Sequence, residues 1–126
     1  MKSLVHRACW TVALIACAWT LPGCGHKATA PKVMAQLLEN SFSNADSTVK
    51  QNVSQASAAV QNGNFPQAII TMNQLTQRQP LDQAQKQAMS LLIQQTRQAV
   101  NENPKLNSPE LYKAMSDLVL RVHGEN

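Results

Sequence analysis

The sequence predicts an all-α protein, either a small helical bundle or a helical hairpin with flanking helices. Three observations carry this. Apolar residues recur at spacings of three and four through most of the chain, which is the period of one helix face. Pro, Gly and Asn interrupt that pattern at intervals suited to helices joined by short links. Four Gly and 4% aromatics leave little material for a sandwich or barrel of many short strands. A chain of 126 residues is expected to form one small domain. Its three cysteines are too few and too poorly placed for a disulfide scaffold. A net charge of +4 is mild and does not mark a nucleic-acid binder.

Residues 1–23 read as an export signal. Lys2 and Arg7 supply a positive start, and residues 8–21 form an uncharged, mostly apolar run of 14. That is shorter than the roughly 20 residues a helix needs to span a bilayer, and it fits a secretory segment. An ordinary cleaved signal and an uncleaved anchor are the alternatives. The run ends in Leu21-Pro22-Gly23-Cys24, which resembles the lipobox of bacterial lipoproteins at Leu21, Gly23 and Cys24 and departs from it at Pro22. Leu14-Ile15-Ala16-Cys17 has a similar form. Apolar sequence continues after Cys17, whereas Cys24 is followed by a polar tether, residues 24–31, so context favours Cys24.

The resemblance implies cleavage before Cys24, a thioether-linked diacylglycerol and an amide-linked acyl chain such as palmitate. Two or more chains suffice for stable anchoring. In that family Asp directly after the cysteine retains the protein in the inner membrane. Gly25 stands there, so the resemblance implies the outer membrane, facing the periplasm.

The mature chain, residues 24–126, is nearly neutral. Without Lys2 and Arg7, nine of the eleven basic residues remain against seven acidic ones. Both tryptophans, Cys9 and Cys17 also leave with the signal. Gln and Asn make up 24 of the 103 residues. That composition suits either a low-complexity segment or a helical surface carrying neutral amides, and the apolar periodicity favours the helical reading. Residues 32–126 are expected to form the helical domain.

The first helix is expected over residues 31–42, with Pro31 at a first helical position and Val33, Leu37, Leu38 and Phe42 inward. The second, over 46–62, carries Val49, Val53, Ala56 and Val60 as a narrow stripe, and Asn62-Gly63-Asn64 ends it. The third, over 65–78, has Pro66 in its first turn and Ala68, Ile69, Met72 and Leu75 inward; Pro80 stops it. The fourth begins after Asp82, with Gln85 as capping-box partner, and runs to about residue 103 before Pro104. Its stripe is Ala84, Ala88, Leu91 and Leu92, widened by Met89, Ile93 and Val100. The fifth starts from Ser108 and Pro109, repeats Leu111, Met115, Leu118 and Val122, and ends at Gly124. Short links make sequential helices antiparallel neighbours.

The run Gly63-x-Phe65-x-x-Ala68, followed by Met72, Leu75 and Pro80 at spacings of 4, 3 and 5, resembles the second half of a tetratricopeptide repeat. Ala56 and Ala59 stand at that family's first-helix core positions. Ala59 departs from the usual Tyr and Leu75 from the usual Ala, and no second copy follows 34 residues later. The segment is therefore either one degenerate repeat with flanking helices or a generic hairpin. The resemblance implies a protein-binding groove or face on helices two to four.

Chemistry is sparse. His26 falls in the tether and His123 at the C-terminus, without neighbouring ligands for a metal. Residues 28–122 hold no His to serve a nucleophile as base. The acids are scattered, Asp82 and Glu110 lying in first helical turns. Met34, Met72, Met89 and Met115 fall on apolar faces as core filler. No enzyme activity, cofactor, metal or nucleic-acid partner is expected. The sequence points to a membrane-anchored interaction module with a protein partner, its candidate face formed by Phe65, Ile70 and the Gln83, Gln87, Gln94 and Gln98 side of the fourth helix. A structural subunit or spacer of an envelope complex is the alternative, and a small-ligand binder the third class.

Overall fold

The computed structural model describes residues 29–124. The signal segment, Cys17, the lipobox with Cys24, and His26 lie outside these residues. Five α-helices follow in order: α1 (Pro31–Ser41), α2 (Ser47–Gln61), α3 (Phe65–Thr76), α4 (Gln83–Glu102) and α5 (Pro109–His123), with a short 3-10 turn at Pro104–Leu106 between the last two. There is no strand among the described residues. The protein is an all-α bundle.

Each boundary has a local cause. Asp46 caps α2 by accepting from the Val49 N–H at 2.9 Å. At its far end Gly63 takes φ +73°. The Gly63 N–H bonds the Val60 carbonyl at 3.0 Å and the Asn64 N–H bonds the Ala59 carbonyl at 2.8 Å, the paired pattern of a Schellman cap. Asn64 then caps α3. Asp82 and Gln85 form the expected capping box, at 2.8 and 3.0 Å. Ser108 caps α5 by accepting from the Leu111 N–H at 3.1 Å.

The helices surround one core. α1, α2, α3 and α4 close a ring, each packed on the next and α4 back on α1, while α5 lies outside it against α3 and α4. Side chains fix the direction of the pairs. Gln85, near the start of α4, donates to the Ser41 carbonyl at the end of α1, at 3.3 Å. Gln95, ten positions on, donates to the Thr29 carbonyl just before α1, at 2.9 Å. So α1 runs antiparallel to α4. The Arg121 guanidinium reaches the Thr76 carbonyl at 3.4 Å, which puts the end of α5 beside the end of α3. One end of the bundle therefore carries Thr29, the α2–α3 turn and the α4–α5 link. The other carries the α1–α2 and α3–α4 links and the end of α5.

Met34, Leu38, Phe42, Val60, Ile69, Met72, Met89, Leu92, Leu111 and Leu118 are essentially fully buried. Each large side chain so buried contributes about 1.5–3 kcal/mol. Three inward expectations are corrected. Val33 is 53% exposed, because α1 is wedged between α2 and α4 and turns Met34 and Ala35 inward instead. Leu91 is 36% exposed, and Ala84 is exposed as well. The inward arc of α4 is centred on Ala88, Leu92, Gln95 and Thr96, and Leu91 sits just outside it. Val49, Val100 and Met115 are half-buried at the core margin.

Candidate functional site

Phe65 and Ile70, at the start and middle of α3, are half-buried and packed against the core. Gln83, Gln87, Gln94 and Gln98 are exposed along α4. Gln94 and Gln98 border a shallow recess of about 540 Å³ between α4 and α5, with Arg97, Asn101, Val119 and His123. Gln83, Gln87, Phe65 and Ile70 do not line it. Gln98 also donates to the Glu102 carboxylate one turn on, at 3.0 Å, which occupies part of its hydrogen-bonding capacity.

A larger groove, about 670 Å³, runs along the α2–α3 hairpin. Thr48, Asn52 and Gln55 from α2 face Gln67, Thr71 and Gln74 from α3 across it. The spacings on each helix, four then three, put each trio on a single face. Val49 and Leu75 supply an apolar floor, and Asp46 and Arg78 stand at the end formed by the α1–α2 and α3–α4 links. Gln67 donates to the Thr71 hydroxyl at 3.3 Å, bracing one wall.

The sequence carries a direct signal for this groove that helical periodicity alone does not expose. Residues 51–77 contain no Lys, Arg, Asp, Glu or His. Over these residues the hairpin presents amides and hydroxyls as its polar groups, with Lys50 on α2 and the Asp46 and Arg78 charges confined to the end at the α1–α2 and α3–α4 links. An amide side chain offers two donors and an acceptor oxygen, enough to bond both the N–H and the C=O of a second backbone. Such a surface exerts little long-range electrostatic pull, so shape and hydrogen bonding would select its ligand.

Among the described residues, three buried side-chain atoms lack a hydrogen-bond partner: Asn73 Oδ1, Gln95 Oε1 and Arg121 Nε. Asn73 lies one turn before Thr76, whose carbonyl Arg121 contacts, so two of the three belong to the α3–α5 seam. Ser57 is fully buried and donates to the Ala35 carbonyl at 3.2 Å, tying α2 to α1. The Lys113–Asp117 pair, 3.9 Å apart with Lys113 80% exposed, contributes little. Among the described residues, no three His, Cys, Asp or Glu side chains group as a metal site, and no helix is long and apolar enough to cross a membrane.

No family model, no curated protein and no solved structure matches this chain.

Proposed function

We propose that this chain is a bacterial lipoprotein anchored through Cys24, facing the periplasm from the outer membrane and acting as a non-enzymatic docking module. Its docking site is the α2–α3 groove, and its ligand is an extended, uncharged polypeptide segment of a partner protein. The observation that carries the reading is the groove itself, with amide and hydroxyl walls on two antiparallel helices and no charged residue between positions 51 and 77. Amide ladders bond peptide groups in either polarity, while the apolar floor of Val49 and Leu75 accepts small aliphatic side chains. The tetratricopeptide-like spacing at Gly63, Phe65 and Ala68 and the lipobox-like segment ending at Cys24 support the same reading.

Crosslinking and pull-down from envelopes with the anchor intact tests it. One dominant partner is expected, and the pair of substitutions Thr71→Arg and Gln74→Arg is expected to lose it. Undiminished recovery with the groove so charged overturns the site. For the anchor, Cys24→Ser is expected to abolish lipid labelling; labelling that persists moves the modification to Cys17 or removes the lipoprotein reading.

A structural subunit is the second reading. It is favoured by Tyr112 and Leu120, 70% and 65% exposed on the outer side of α5. A mass that rises with concentration for the purified domain would support it, and a monomer at all concentrations would remove it.

A further inference from the structure

We propose that the outer face of α5 pairs with the same face of a second copy of this chain, antiparallel, about a two-fold axis at Ser116. The pairing gives the structural-subunit reading its partner, and neither the groove nor the anchor enters it.

α5 lies outside the ring and packs on α3 and α4. It turns Leu111, Ala114, Leu118 and Val122 into the bundle. On the opposite side Tyr112, Ser116 and Leu120 stand four apart and are exposed, Tyr112 at 70% and Leu120 at 65%. Four residues advance a helix face by only about 40°, so the three form one ridge, large at both ends and small in the middle. Such a ridge complements itself under a two-fold rotation. With Ser116 on the axis, each Tyr112 comes level with Leu120 of the other copy, and the small Ser116 side chains let the two helices approach.

The flanks of the ridge choose the direction. Lys113 and Asp117, their side chains 80% and 32% exposed, lie on the Leu120 side. Met115 and Val119, both half-buried, lie on the Tyr112 side. An antiparallel pair brings each flank onto its own counterpart, whereas a parallel pair brings it onto the opposite flank. The antiparallel pair therefore sets Met115 and Val119 against the same apolar residues. It also places Lys113 about 3 Å along the axis from Asp117 of the other copy. A parallel pair would lay both charges on the apolar flank and desolvate them without partners. Within one chain the Lys113–Asp117 contact is long, at 3.9 Å, and an ammonium has three donors, so Lys113 has donors to bridge to a second carboxylate. α5 has 15 residues, about 22 Å of helix, so the interface is small and the pairing is expected to be weak and concentration-dependent.

Sedimentation of the full chain in mild detergent, across a concentration series, tests the pairing, with the fold of each variant checked by circular dichroism. The unaltered chain is expected to pass from monomer to dimer as concentration rises. Leu120→Arg is expected to weaken the dimer at least tenfold. Lys113→Asp and Asp117→Lys are each expected to weaken it severalfold, because each sets like charges against one another across the axis. An equimolar mixture of these two variants is expected to recover the dimer. In the mixed pair both contacts across the axis join opposite charges, while neither chain regains its internal pair, so recovery reads the contact between chains alone. A monomer at all concentrations overturns the α5 pairing and the structural-subunit reading together. A dimer that Leu120→Arg leaves intact, or a mixture that associates no more tightly than the single variants, overturns the α5 pairing alone and leaves that reading with another surface.

Discussion

At the scale of single residues, this bundle is joined by side chains that reach the backbone of a neighbouring helix. Ser57, Gln85, Gln95 and Arg121 each donate to a carbonyl on another segment. Gln95 has the most exacting surroundings, with its amide N–H on Thr29 and its oxygen buried without a partner. Gln95→Glu removes the donor and buries an unpaired carboxylate, so it is expected to destabilise by about 2–4 kcal/mol in urea unfolding. Gln95→Met loses the bond but also the unpaired oxygen, and is expected to cost less than about 1 kcal/mol. A carboxylate variant as stable as the Met variant would place Gln95 in water. Gly63 gives a second residue-scale prediction. Nothing lies within 4 Å of a Cβ built there, so the cost of substitution is backbone strain alone. Gly63→Ala is expected to lose about 1–2 kcal/mol, and Gly63→Asn clearly less, measured by thermal unfolding. None of the Gln residues announces its burial. Gln94 is exposed and Gln95 buried because one step along α4 rotates the side chain by about 100°, from the outer face toward α1. Reading that step requires knowing that α1 lies there.

At the scale of elements, the sequence reading reaches furthest. Local chemistry sets the helix ends: Pro31, Pro66 and Pro109 sit in first turns, Asp46, Asp82 and Ser108 are caps, and Gly63 closes α2. Asp82→Ala should cost about 1 kcal/mol by loss of the cap, with hydrogen exchange rising first at the start of α4. The link after α4 tightens into a 3-10 turn at Pro104–Leu106, where the Asn103 side chain accepts from the Lys105 N–H at 3.3 Å; apolar spacing does not register so short an element. Inward faces were less legible than ends. Periodicity finds a stripe but not its edges, and those depend on how many neighbours a helix has. α4 packs on α1, α3 and α5, which buries Gln95 and Thr96 and leaves Leu91 at the margin. Leu92→Ala is therefore expected to cost about 2–5 kcal/mol, whereas Leu91→Gln and Val33→Gln should stay within about 0.5 kcal/mol. A large loss at Leu91 would contradict the packing described.

At the scale of the whole molecule, the pairings that close the bundle join distant parts of the chain. α1 meets α4 and α3 meets α5, and neither contact follows from short links, which determine only sequential neighbours. The groove was legible in principle, as the uncharged stretch 51–77, but its two walls become one surface only when α2 and α3 lie side by side. That surface has a thermodynamic signature. With neutral walls, binding of an uncharged segment should change less than about threefold in affinity between roughly 50 and 300 mM salt. A steep salt dependence would instead point to charged contacts outside the groove. The most direct measurement is site-specific photocrosslinking in intact envelopes, with the crosslinker at Gln74 in the α2–α3 groove or at Gln87 on the exposed face of α4. The groove position is expected to give one dominant protein adduct and the α4 position none. An adduct from Gln87 alone, or from neither, would contradict the groove as the docking site.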